Sequence, residues 1–147
     1  MQNKNWKLWE VCGQTNALYT QWCARQGVNV YRQLVLYALA AHAPTTQKKI
    51  ADDTGLSKQT VATVMRALKA EGLVVLSAGD KDRREKTVQL TETGAVYAGC
   101  TLGPLYALED RVFDLIGEER IKQMMDMVSL FNTVFEKEME TINEGRK

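Results

Sequence analysis

Histidine occurs once in this chain, as His42, and proline twice, as Pro44 and Pro104. One histidine leaves little for acid–base chemistry, and no paired carboxylates, nucleophile–base set or phosphate-binding loop accompanies it. The pattern excludes the common enzyme classes, and no catalytic residue is assigned. The cysteines are three, Cys12, Cys23 and Cys100, without CxxC spacing. That odd, dispersed set excludes a disulfide framework and a zinc knuckle. No HExxH-type spacing exists either, so neither a metal nor a cofactor is expected. Long hydrophobic runs are missing as well: nothing approaches the roughly 18–20 apolar residues that a membrane span needs. The opening "MQNKNWKLWEVCGQ" is broken by Lys7, Glu10 and Gln14 and does not read as a signal peptide. A cytoplasmic protein without a membrane partner is the expectation. Few prolines, ten glycines and no internal repeat argue against low complexity.

What is present is ordinary globular material: 147 residues, 45% hydrophobic and 25% charged, enough for one domain with a real core. The net charge of +1 conceals an asymmetry. Residues 45–90 carry nine Lys/Arg against six Asp/Glu, whereas residues 105–147 carry six against ten. A basic middle and an acidic end fit a nucleic-acid face on one side of the molecule.

Hydrophobic spacing predicts a first helix over 5–26, with Leu8, Val11, Leu18 and Trp22 on one stripe and Gly27 at its end. A second, more buried helix covers 29–42 and stops at Pro44. Thr45 or Thr46 can cap a short helix through about Thr54, Gly55 allows a turn, and Leu56 is an apolar plug. Ser57 caps the next helix, from Lys58 to about Glu71, which Gly72 ends. Its Val61, Val64, Met65 and Leu68 point one way and Gln59, Ala62, Thr63 and Arg66 the other. Two short helices around a glycine turn make a helix-turn-helix. Ser57, Lys58, Gln59, Thr60, Thr63 and Arg66 then lie at the start or on the outer face of the second helix, with side chains suited to base edges and phosphates. A helical hairpin that packs only for stability is the plainer alternative.

The stretch "GDKDRREKTVQL" follows at 79–90, with seven charged residues after the apolar "LVVL" and before an alternating run. It reads as a two-stranded hairpin with an exposed tip. A hairpin behind a helix-turn-helix is the plan of a winged helix, whose cationic tip gains by neutralising phosphates and by lying in a narrow minor groove. Lys81, Arg83, Arg84 and Lys86 supply the cations; Asp82 can pair with Arg84 and fix its direction. Thr91 can cap a long helix to about Ile116, kinked at Pro104. A last helix, about 118–142, repeats Ile121, Met124, Met125, Val128, Phe131, Phe135, Met139 and Ile142 at three- and four-residue steps. Met127, Leu130 and Val134 widen that stripe beyond one buried face.

With these residues in view, the chain resembles the MarR family of bacterial winged-helix transcription regulators. Asp82, Arg84, Leu90 and Thr91 in "DRREKTVQLT", followed by Gly94, match that family's wing signature. "IADDTGLSKQTVATVMRALKAEGLV" (50–74) matches its recognition segment. The resemblance implies a mainly α fold with a small β-hairpin wing: a single domain over 1–147, with dimerisation helices at 1–28 and 92–147. The winged helix-turn-helix DNA-binding lobe would be 29–91. It implies a homodimer on a double-stranded, pseudo-palindromic operator with half-sites roughly 10 bp apart. The segment 58–71 would enter the major groove and Arg84 the minor groove, with Asp82 bracing the wing. The DNA-contacting set is Thr46, Gln47, Ser57, Lys58, Gln59, Thr60, Thr63, Arg66, Lys81, Arg83 and Arg84.

The same resemblance implies repression relieved by a small aromatic or anionic effector. Tyr19, Trp22, Tyr31, Tyr37 and His42 are candidate pocket residues, with core aromatics as the plainer reading. Relatives that sense oxidants through a first-helix cysteine point to Cys12 and Cys23. Eleven residues apart on one helical face, these lie about 16 Å from each other, too far for a disulfide within one chain. A winged helix used only for protein contact is the remaining alternative; a steep salt dependence on random duplex DNA separates it from a DNA binder.

Overall fold

The computed structural model describes residues 4–78 and 86–145. Six helices and three short strands alternate along the described chain: α1 (Lys4–Gln26), α2 (Val30–His42), β1 (Thr45–Thr46), α3 (Gln47–Thr54), α4 (Lys58–Ala70), β2 (Val74–Ala78), β3 (Lys86–Leu90), α5 (Glu92–Ile116) and α6 (Glu118–Glu144). The fold class is as the sequence predicts, mainly α with a small β element. The chain divides into two compact units, Met1–Pro104 and Leu105–Lys147. The boundary falls inside α5, at its one proline.

Local chemistry sets the helix starts. The Asn29 side chain accepts from the backbone N–H groups of Tyr31 and Arg32 and so caps α2. Thr46, rather than Thr45, caps α3 by accepting from the Lys49 N–H at 3.1 Å. Ser57 caps α4, accepting from the Thr60 N–H at 3.1 Å. Gly55, between α3 and α4, sits at φ 71°, ψ 6°, the left-handed region that a side chain resists. Thr91 caps α5, accepting from the Gly94 N–H at 3.0 Å.

In the first unit the core lies among α2, α3, α4 and the sheet. Val35, Leu36, Leu39, Ile50, Val61, Leu68, Val88 and Leu102 are fully buried. In α4 the expected face is the buried one, with Val61, Met65 and Leu68 inside. Val64 and Leu56 are only half-buried.

The sheet corrects one expectation. It has three strands, in the order β1-β3-β2, not the two of a plain hairpin. Thr45 pairs with Val88 and Thr46 with Thr87, while Val74–Ala78 pairs with Lys86–Leu90 on the other edge of β3, all antiparallel.

Much apolar surface is left uncovered. In the second unit, Met124, Met125, Met127, Val128, Leu130, Phe131, Val134, Phe135, Met139 and Ile142 of α6 are all exposed, and Ile121 is the one buried residue of that helix. Phe131 and Phe135, one turn apart, sit with ring centroids at 5.7 Å. In the first unit, α1 likewise exposes Trp6, Leu8, Trp9, Val11 and Leu18.

Candidate nucleic-acid interface

The helix-turn-helix is α3, the Gly55–Leu56–Ser57 turn and α4. Burial of Val61, Met65 and Leu68 turns Lys58, Gln59, Thr63 and Arg66 outward, and all four are exposed. Thr63 and Arg66 are linked through their side chains, and Thr63 also bonds back to the main chain of Gln59. Thr63 Oγ1 donates to the Gln59 carbonyl oxygen at 2.9 Å, and Arg66 Nη2 donates to Thr63 Oγ1 at 3.2 Å. Thr60 is half-buried, its hydroxyl 2.8 Å from Ser57 Oγ. Thr46 and Gln47 are half-buried at the start of α3. Lys81, Asp82, Arg83 and Arg84 lie outside the described residues.

The charges of α3 are paired within the helix. Lys48 Nζ stands 2.9 Å from Asp52 Oδ2, and Lys49 pairs with Asp53. The Lys48 hydrogen bond is the main reason that the Asp52 carboxyl lies below the usual carboxylate range. The charged side chains of α3 are thus neutralised within the helix, whereas Lys58 and Arg66 of α4 are exposed with no salt bridge among the described residues.

The start of α2 and the outer side of α4 enclose an open cleft of about 550 Å³, lined by Tyr31 and Arg32 with Gln59, Thr60, Thr63 and Val64 among others. Of the five aromatic and histidine candidates for an effector pocket, Tyr31 alone lines it. Tyr19 and His42 are exposed, and Trp22 and Tyr37 are half-buried, away from this cleft. The two first-helix thiols also separate. Cys12 is exposed, but Cys23 is buried, and burial pushes its thiol pKa up, which disfavours the reactive thiolate.

The end of α4 carries a cluster that sequence reading did not find. Arg32 Nη1 and Nη2 donate to Glu71 Oε1 and Oε2 at 2.9 and 2.6 Å, and Arg32 Nε donates to the Tyr97 hydroxyl at 2.9 Å. The Glu71 carboxyl is held below its ordinary range, chiefly by the hydrogen bond from Arg32. Just beyond it, Thr91 Oγ1 donates to the Gly72 carbonyl oxygen at 2.7 Å and the Thr91 N–H to the Leu73 carbonyl oxygen at 3.0 Å. Partners 39 and 65 residues apart leave no periodic signal, so nothing in the sequence announces this cluster.

Similarity to known proteins agrees with the geometry. A model of the MarR family matches residues 33–85. Over 95% of this chain and 98% of the other, the fold superposes on NMB1585, a MarR family regulator from Neisseria meningitidis, with 30% sequence identity and a TM-score of 0.83. The chain belongs to the MarR family. This MarR protein is thus a member of a family of transcriptional regulators. A 79-residue stretch is 33% identical to the HTH-type transcriptional repressor NicR of Pseudomonas putida; it takes in 54% of this chain and 50% of that protein. The match therefore spans about half the length of that curated relative. The S. aureus MepR–DNA complex shares the fold at 18% identity and a TM-score of 0.64, over 90% of this chain and 98% of MepR. No helix among the described residues is long and apolar enough to cross a membrane, and no cluster among them could hold a metal ion.

Proposed function

We propose that this MarR protein is a sequence-specific repressor that binds a pseudo-palindromic operator in double-stranded DNA as a homodimer and releases it on binding a small aromatic or anionic effector. The observation that carries the proposal is the exposed row of Gln59, Thr63 and Arg66 on α4, the second helix of a helix-turn-helix that runs directly into a β-hairpin. Gln is suited to adenine and Arg to guanine in the major groove, and Lys58 to phosphate. Lys81, Arg83 and Arg84 are the proposed wing contacts, with Asp82 bracing them; Thr46, Gln47, Ser57 and Thr60 complete the set. A role on chromosomal DNA places the protein in the cytoplasm.

Residues 29–91 would form the DNA-binding lobe, and residues 1–28 and 92–147 the dimerisation helices. Support for the dimer comes from the apolar side chains that α6 and α1 leave exposed in a single chain. Soluble monomers rarely carry contiguous apolar patches of that kind. A two-fold copy would place two α4 helices about one DNA turn apart, roughly 34–36 Å.

The test is a fluorescence-anisotropy titration against a duplex selected from a random pool, repeated across salt. Affinity should fall with a log–log slope of about −0.9 per phosphate contact. Arg66→Ala should cost about 1–3 kcal/mol of binding if it reads a base. Arg84→Ala should weaken binding clearly. Salt-insensitive binding, or two arginine variants that bind like the parent, would leave the protein-contact reading in its place. Sedimentation should give a two-chain species, and a single chain at high concentration would end the dimer.

A further inference from the structure

We propose that Arg32 is a positioning residue for DNA reading: with Tyr97 it anchors Glu71, and through Glu71 fixes the angle at which α4 presents its outer face. The inference rests on the reading of α4 as the DNA-contacting helix. Glu71 is the residue that closes α4. All three guanidinium nitrogens of Arg32 are engaged, two by the Glu71 carboxylate and one by the Tyr97 hydroxyl. This planar, two-pronged geometry restrains direction as well as distance, unlike a lysine point charge. The Arg32 side chain is only 18% exposed, so it is less free to swing than a typical surface arginine.

The residues that follow are held as firmly. Thr91 captures the carbonyls of Gly72 and Leu73, and Gly94 packs so closely on Leu73 that no side chain fits between. Three consecutive residues at the elbow are thus tied to α2, to the Thr91 cap and to α5. At the other end, the Ser57 cap bonds within the first turn of α4 itself. The helix behaves as a lever with its pivot at Glu71. Thirteen residues span about 20 Å. A tilt of about 5° at the pivot would move the Ser57 end by about 1.7 Å, enough to break hydrogen bonds to base edges.

Glu71→Gln gives opposite outcomes under the rival ideas. Electrostatics alone predicts tighter DNA binding, because an acidic group is removed from a DNA-binding protein. Anchoring predicts weaker binding to the selected duplex, by about tenfold, the worth of roughly one base contact. Binding to a scrambled duplex should change less than twofold, with an unchanged salt slope. Arg32→Lys should reproduce the loss, and Tyr97→Phe should give a smaller one in the same direction. Equal or tighter binding of Glu71→Gln to the selected duplex would overturn the proposal. So would an Arg32→Lys loss that is equal on both duplexes, since that marks a phosphate contact. Circular dichroism of each variant confirms the fold, and Glu71 is half-exposed, so its amide variant should fold. Gln59→Ala serves as the separate control. If Gln59→Ala and Arg66→Ala leave the selected duplex bound as before, the α4 reading itself fails; if they weaken it and Glu71→Gln does not, only the anchoring fails.

Discussion

Replacing Gly94 by alanine sets two effects of opposite sign against each other. Gly94 lies in the first turn of α5, where alanine is the better helix former by about 0.8–1 kcal/mol. Propensity alone would therefore stabilise the variant. The structure demands the reverse. An alanine Cβ would stand 1.8 Å from the Leu73 carbonyl oxygen, 2.7 Å from its carbon and 3.1 Å from its Cα. All three are backbone atoms, so no side chain can rotate away. Reaching an ordinary C···O contact of about 3.3 Å needs a separation of roughly 1.5 Å. That movement would break the Thr91 bonds to the Gly72 and Leu73 carbonyls, at about 1 kcal/mol each. Overpacking adds about 1–3 kcal/mol. After subtracting the propensity gain, the net loss is about 3 kcal/mol, and the melting temperature should drop by roughly 10 °C. Circular dichroism melts at one fixed protein concentration measure it, since oligomers melt in a concentration-dependent way. Gly99→Ala, also in α5 but with nothing within 4 Å of the added carbon, is the control and should melt at or slightly above the parent. A Gly94→Ala protein as stable as the parent would refute the close approach of α5 to the elbow.

Three further outcomes are expected. Ser57→Ala removes the acceptor for the Thr60 N–H and should cost about 1 kcal/mol in urea unfolding, with an unchanged m-value. Iodoacetamide should label Cys23 only on unfolding, followed by mass spectrometry; fast labelling of Cys23 in the native protein would contradict its burial. Because the folded Glu71 carboxyl sits below its ordinary value, its pairing contributes fully above the unfolded pKa near 4.3 and is lost as pH falls further. The gap in urea midpoint between parent and Glu71→Gln should accordingly narrow as pH is lowered below that value, and a gap constant with pH would contradict the pairing.

Sequence alone discloses whatever is decided within a few residues. The caps at Ser57 and Thr91, the left-handed glycine at 55 and the buried stripe of α4 are local events, and each is found where its spacing predicts. The apolar excess of α6 was equally legible, because a stripe wider than one face needs no tertiary information. What escaped is non-local. β1 has two residues and exists only through pairing with β3, more than 40 positions on. Arg32 meets Glu71 and Tyr97 only through the fold, across 39 and 65 positions. Of the aromatic and histidine candidates, Tyr31 alone lines the cleft between α2 and α4, since residue type does not say which side chains converge there. Cys12 and Cys23 share one helical face by spacing, and only packing distinguishes the buried thiol at 23 from the open one at 12.

The two-residue strand β1 has an effect out of proportion to its length. Thr46 belongs to two elements at once: it pairs with Thr87 in the sheet and its hydroxyl closes the first turn of α3. Val88, fully enclosed, faces Thr45 on one side and Leu76 on the other. A slip of β3 by a single position would turn Val88 out into water and give Thr46 a different partner across the sheet. The described strands of the hairpin and the helix pair are therefore joined through one residue, so the register of the sheet also sets where α3 begins.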